Sequence, residues 1–350
     1  MSGLPWLFFL PWGCGLATHV RTSDSLVRRA PCAPSCWPDC PQSSRTGVPC
    51  LPAADVWPYK TRDAAKEELG ERVVAAARPA AVVSPTVCHG FKLFGDSAWC
   101  LAAFDREPRD TVGLSFGIEE RDLWSETMSN VFHMPTKLYD CFQDPAKSPP
   151  LSHTAPNAAG SCVGKEMHCY ETKYESYPVC LGSGNGIIEG RTYSSLTDLL
   201  RGRAALSVHL KMDVEGSEWS VLEALLDAPN DLAKVRTLDI EVHFGFAAAS
   251  EAAHRRGNLE DPVRREVAIF ERLAATLAVV GSNMETNAQG WNPASSCPEH
   301  VCEEPSVHTK GGFPVNQFAI SFVNLDVIRN FQSRPSTKLA VEVASNGTAF

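Results

Sequence analysis

Lys211-Met212-Asp213-Val214-Glu215-Gly216-Ser217-Glu218-Trp219 is the stretch on which the fold of this chain turns. It lies at a junction. Residues 206–214 (LSVHLKMDV) form a short apolar run of strand type, and 217–228 (SEWSVLEALLDA) has helical periodicity with Trp219, Leu222 and Leu226 on one face. Gly216 makes the turn between them. The strand end carries two acids at alternate positions, Asp213 and Glu215. Carboxylates this close repel unless one is protonated, hydrogen-bonded or metal-bound. The plainer explanation is that Asp213 or Glu215 caps the helix N-terminus.

The strand-then-helix alternation continues on both sides. Upstream, 62–78 reads as a helix ended by Pro79 and Pro85. Residues 111–118 (TVGLSFGI) read as a strand, 122–132 as a helix with Asp122 as its cap, and 136–142 (TKLYDCF) and 177–181 (YPVCL) as strands. A helix at 195–202, capped by Ser194 or Ser195, follows. Downstream come a strand at 235–244 (VRTLDIEVHF), a helix at 262–280, and strands at 281–287 and 316–324 (NQFAISFVN). No helix separates the last two strands, which points to an antiparallel pair. About seven strands alternating with helices make an α/β domain, a mostly parallel sheet covered on both faces.

In such sheets ligands bind beyond the carboxyl ends of the strands. Three further strand ends carry suggestive residues. Ser115-Phe116-Gly117-Ile118 offers a glycine where a ligand can approach the backbone. Tyr139-Asp140-Cys141 offers an acid able to grip a pair of ribose hydroxyls, with Asp144 as a competing candidate. Asp239-Ile240-Glu241-Val242-His243 places Glu241 and His243 on one face of a strand end. If that strand neighbours 206–214, Glu241 and His243 join Asp213 and Glu215. Such a group suits acid/base chemistry or a divalent metal. The glycine run Gly182–Gly186 is followed by no helix and does not meet the dinucleotide fingerprint. There is also no P-loop lysine pattern and no GxSxG elbow.

Composition narrows the partners. The chain has 350 residues and a net charge of -9, an acidic balance that argues against nucleic acid as the main partner. No run of about 18 apolar residues marks a spanning helix. Residues 1–60 hold nine of the 25 prolines and five of the 13 cysteines, and carry +2, leaving -11 on the rest. This Pro/Cys-rich stretch reads as a disordered or leader segment. Leu4–Leu10 and Trp12–Ala17 are apolar, but the basic leader of a secretory signal is missing. The secretory pathway and the cytoplasm therefore both stay open. Cys32, Cys36 and Cys40 lack the paired spacing of a zinc site, and Asn346-Gly347-Thr348 is a glycosylation acceptor pattern. The expected organisation is 1–60 as leader, 61–90 as helix and lead-in, 91–327 as one domain, and 328–350 as a tail.

The string KMDVEGSEW at Lys211–Trp219 resembles a hallmark of the FkbM-like and related methyltransferase-like domains. Other pieces follow in that family's order. Gly95–Cys100 (GDSAWC) is similar to its lead-in, and Ser115–Ile118 to its SFGI, followed by Asp122 and by Glu126 where the family has an acid. Tyr139-Asp140-Cys141 resembles its FDC, Val179–Gly182 its VCLG, and Leu238–His243 its strand ending in Glu-x-His. The resemblance implies a class I methyltransferase (Rossmann-like) fold, with seven strands and the last one antiparallel. It implies S-adenosylmethionine near Ser115, Gly117 and Glu126, with Asp140 on the ribose. Asp213 and Glu215 would border the methyl-transfer pocket. The resemblance implies methyl transfer but does not give the acceptor; the leading expectation is O-methylation of a small molecule or glycan, with His243, Asp213, Glu215 or Glu241 taking the proton, or a metal held by the acids activating the hydroxyl. One departure stands out. Gly117 is alone where the family's loop carries two or three glycines, which favours a second reading as a degenerate member that binds ligand or protein without catalysis. A cysteine-stapled binding protein is a third.

Overall fold

A computed structural model describes residues 62–88, 93–94, 97–98, 100–118, 122–143, 161–163, 168–246, 262–284 and 305–333. The Pro/Cys-rich stretch 1–60 with its Cys32/Cys36/Cys40 repeat, Asp144, half of the GDSAWC lead-in (Gly95, Asp96 and Trp99) and the glycosylation pattern lie outside them.

Seven strands form the main sheet: β1 (Val112–Phe116), β2 (Thr136–Tyr139), β3 (Tyr174–Tyr177), β4 (Val208–Met212), β5 (Val235–His243), β6 (Leu277–Ser282) and β7 (Gln317–Asn324). Their order is β6-β7-β5-β4-β1-β2-β3. All neighbouring pairs from β5 to β3 are parallel, and β7 runs antiparallel to both β5 and β6. This is a Rossmann-like α/β sheet, and the sheet reverses its direction of winding at β1 and β4, the place where such folds open a crevice.

The strands are apolar on both sides because both sides are covered. Alternation sorts their side chains. Val112, Leu114 and Phe116 of β1 join one core with Leu69 and Val73 of α1 (Ala64–Ala76), Trp219 and Leu222 of α3 (Glu218–Leu226), and Phe270 of α4 (Pro262–Thr276). The opposite face of the sheet receives Ala278, Val280 and Val323, which pack with Val327 and Ile328 of α5 (Leu325–Gln332). Helix α2 (Leu123–Asn130) packs on β1 and β2, with the Trp124 ring over Gly113.

Several boundaries differ from expectation. The last helix before β6 stops at Thr276, and residues expected to extend it to 280 instead form β6. Leu277–Val280 is buried throughout, so its apolar run carries no period to tell helix from strand. The strand expected at 177–181 is two strands. Pro178 cannot donate to a ladder, and it separates β3 from Cys180–Gly182, which joins a small sheet with Gly186–Ile188 and Arg191–Ser195. The helix expected at 195–202 is only Leu196–Leu199, with Ser195 Oγ accepting from the Asp198 N–H. Asp122 begins α2 but makes no side-chain cap, and its Oδ2 is buried with no hydrogen-bond partner among the described residues. Residues 328–332, expected in the tail, complete α5 and bury Ile328.

Two disulfides staple the described residues. Cys88–Cys100 lies in the core opposite α1, and Cys141–Cys180 ties the end of β2 to the small sheet. No helix among the described residues is long and apolar enough to cross a membrane.

Candidate functional site

Parallel pairing brings three strand ends together. Phe116 lies opposite Tyr139 of β2 and Met212 of β4, so the residues that follow each strand share one edge. Beyond that edge a cleft of ≈ 420 Å³ opens, a size suited to a small-molecule ligand. Gly117, Asp140, Asp213 and Glu215 line it, as do Phe142, Leu181 and Tyr193.

Ser115, Glu126, Glu241 and His243 do not line the cleft. Ser115 faces the opposite side of the sheet from Leu114 and Phe116, and its hydroxyl is buried with no hydrogen-bond partner among the described residues. Glu126 is buried on α2. Gly117 has φ of +75°, and a Cβ there would overlap the Asp213 carbonyl oxygen. The glycine is thus required by the neighbouring backbone, not only by an approaching ligand. Asp140 is already engaged. Its Oδ2 accepts from the Ile118 N–H at 3.0 Å, and its Oδ1 accepts from Phe142 and Gln143 at 2.8 and 3.0 Å. A ligand hydroxyl would share those oxygens.

Glu241 and His243 lie at the end of β5, beside Asp213, as strand adjacency requires. One ligating atom from each of Asp213, Glu241 and His243 falls within 4.8 Å of the others. The His243 ring is fully buried. Its backbone N–H donates to Glu218 Oε1 at 2.7 Å, and its Nδ1 lies 3.2 Å from the same oxygen. Its Nε2 has no hydrogen-bond partner among the described residues and lies 3.6 Å from Glu215 Oε2. Phe246 packs against the ring, with centroids 4.8 Å apart.

Glu218 is the residue that sequence reasoning missed. It is fully buried, and its second oxygen accepts from the Gly216 N–H at 2.8 Å. The cap expected of Asp213 or Glu215 is not made among the described residues: neither accepts a helix N–H, the N-cap residue Ser217 makes no side-chain cap, and Glu218 holds instead the turn residue before the helix. Trp219 adds a second tie, its indole N–H donating to the His243 carbonyl at 3.0 Å. Spacing held the signal: Glu218 stands four and seven residues before the buried Leu222 and Leu225, on the core face of α3.

Burial pushes the Glu218 carboxyl above its ordinary range, against the pull of His243. For His243 burial disfavours the charged ring, but Glu218, Glu241 and Glu215 outweigh it and raise its pKa. Lys211 is the local cation. Its Nζ donates to the carbonyls of Gly117 and Phe116 and lies 3.5 Å from Asp213 Oδ2.

No family model, no curated protein and no solved structure matches the chain.

Proposed function

We propose that the protein is an S-adenosylmethionine-dependent methyltransferase acting on a hydroxyl of a small molecule or glycan. The observation that supports this most is the cleft itself. It sits at the β1/β4 switch point of a seven-stranded sheet whose last strand is antiparallel, and it is lined by Gly117, Asp140, Asp213 and Glu215. The ordered motifs from Ser115 to His243 add to it.

The residues suit the cofactor in kind. Asp140 would take the ribose hydroxyls, and Val179, Leu181 and Phe142 supply an apolar wall for the purine. The cofactor brings an electrophilic methyl group. The protein holds the acceptor in line with it and receives the hydroxyl proton. Glu215 suits that second task, because it lines the cleft and its side chain is 67% exposed.

Engagement of Asp140 by three backbone N–H groups supports a second reading, a methyltransferase-like fold that binds a ligand or a protein without transferring a methyl group. Calorimetric titration with S-adenosylhomocysteine tests both. The first reading expects saturable binding that weakens at least about tenfold in Asp140→Ala, the loss of a charge-assisted hydrogen-bond pair. A folded protein that binds none at roughly millimolar ligand, a bare minimum for a small-molecule site, would sink it.

A further inference from the structure

We propose that Asp213, Glu241 and His243 form a divalent-cation site at the junction of β4 and β5, with Glu215 within reach as a fourth ligand and Glu218 orienting the imidazole. Three observations carry it. The ligating atoms converge from two adjacent strand ends to within 4.8 Å of one another. His243 Nε2 is fully buried and lacks a hydrogen-bond partner among the described residues, although it lies in the midst of acids. A buried polar atom left without a partner is destabilising, so its persistence calls for one. The opposite ring nitrogen is held at 3.2 Å by a fully buried carboxylate, the arrangement that fixes tautomer and ring angle in metal-ligating histidines.

The local charge agrees. Asp213, Glu215 and Glu241 bring three carboxylates, and Lys211 is shared with two backbone carbonyls. One imidazole nitrogen among carboxylate oxygens suits Mn²⁺, Co²⁺ or Zn²⁺ better than the all-oxygen preference of Ca²⁺ or Mg²⁺. Two ligands on an ion with bonds of about 2.1 Å stand roughly 3–3.5 Å apart. Asp213 and Glu241 are only partly buried, and Glu241 Oε1, which accepts from Gln317 Nε2 at 3.1 Å, would exchange that bond for one to the ion. Such an ion would lie beside the cleft through Asp213 and Glu215, where it could bind an acceptor hydroxyl and ease its deprotonation. That last role rests on the methyl-transfer reading; cation binding does not.

The test is titration of the full-length, EDTA-stripped protein with Mn²⁺, read by loss of the free-ion paramagnetic signal, and with Co²⁺, read by its visible absorption. Saturable binding of one ion is expected. Asp213→Asn and Glu241→Gln should weaken it at least about tenfold, and Glu218→Gln, which acts through His243, by about 10–100-fold. His243→Gln should remove the nitrogen-dependent part of the Co²⁺ spectrum. Absence of saturable binding in the folded protein overturns the proposal. So does binding that is unchanged in both Asp213→Asn and Glu241→Gln, two partly exposed sites where folding is not at risk. S-adenosylhomocysteine titrated into the same EDTA-stripped protein reads the methyltransferase proposal separately, so either can fail alone.

Discussion

Adding one methyl group at Gly117 would drive Cβ into the Asp213 carbonyl oxygen, at a residue whose φ is +75°. Gly190 has nearly the same φ, +78°, in the turn between Gly186–Ile188 and Arg191–Ser195, but a Cβ there would meet no atom within 4 Å. The two positions separate conformational strain from collision. Gly190→Ala should cost about 1–2 kcal/mol, the left-handed penalty alone. Gly117→Ala should cost several kcal/mol or fail to fold, because β1 and β4 must part. Urea unfolding of both variants reads the difference, and equal costs would refute the collision. Glu218 poses a second contrast. Glu218→Ala leaves two buried N–H groups and the His243 ring without their acceptor, at a cost of about 3–5 kcal/mol. Glu218→Gln keeps an acceptor oxygen in place and should cost clearly less in the same assay. Asp213, Glu215, Glu241 and His243 were legible as a cluster because strand alternation and adjacency are readable in sequence. The Glu218 tie was not, since an acid in a helix's first turn looks like an ordinary dipole partner until its burial is known.

At the scale of elements, what could be read depended on whether polar residues marked the ends. Strands β1, β4, β5 and β7 lie within a few residues of their expected bounds, each bounded by turn or charged residues. Strand β6, expected at 281–287, begins instead at Leu277 and ends at Ser282, because Leu277–Val280 continues the apolar run of α4 without a break that would mark the boundary. The small sheet escaped for a different reason. Its strands have three to five residues and are held by non-local partners, Cys180 of the first pairing with Tyr193 of the last. The Cys141–Cys180 disulfide anchors that sheet to β2, and both half-cystines line the cleft. It closes a loop of 39 residues. Replacing both with serine should therefore lower stability by about 3–4 kcal/mol through the unfolded chain. It should also loosen the cleft wall, so that proteolysis cuts 141–195 before the main sheet. Simultaneous digestion of both regions would show that the small sheet is held by its other contacts instead.

For the whole molecule, the buried titratable groups of the sheet set how stability follows pH. His209 of β4 is fully buried, stacked on Phe104, with Nδ1 2.8 Å from Thr237 Oγ1 and Nε2 3.1 Å from Glu107. Burial pushes its pKa below the ordinary value of 6.5, with Arg236 in the same direction and Glu107 opposing. A depressed histidine contributes stability that is present above its unfolded pKa and lost as pH falls, because the unfolded chain takes the proton first. Asp239 works the other way. Burial raises it to about 7 against hydrogen bonds from Trp124 and Ser321, so its folded form gains relative stability as pH falls from 7 toward 4. The wild-type profile mixes these opposed slopes, and a single variant isolates one. Between pH 7 and 5 the stability advantage of wild type over His209→Gln should shrink by up to about 1.4 kcal/mol per pH unit below 6.5. Carboxylates such as Glu271, lowered by its ion pair with Arg72, lose their contribution only below about 4.5, outside that window. Urea midpoints for the two proteins across pH 5–7, in EDTA, measure the difference directly. A constant gap would mean that folding leaves the His209 pKa at its unfolded value, burial and Glu107 cancelling; a gap that widens as pH falls toward 6.5 would mean that His209 keeps its proton in the folded sheet, with Glu107 as its counterion.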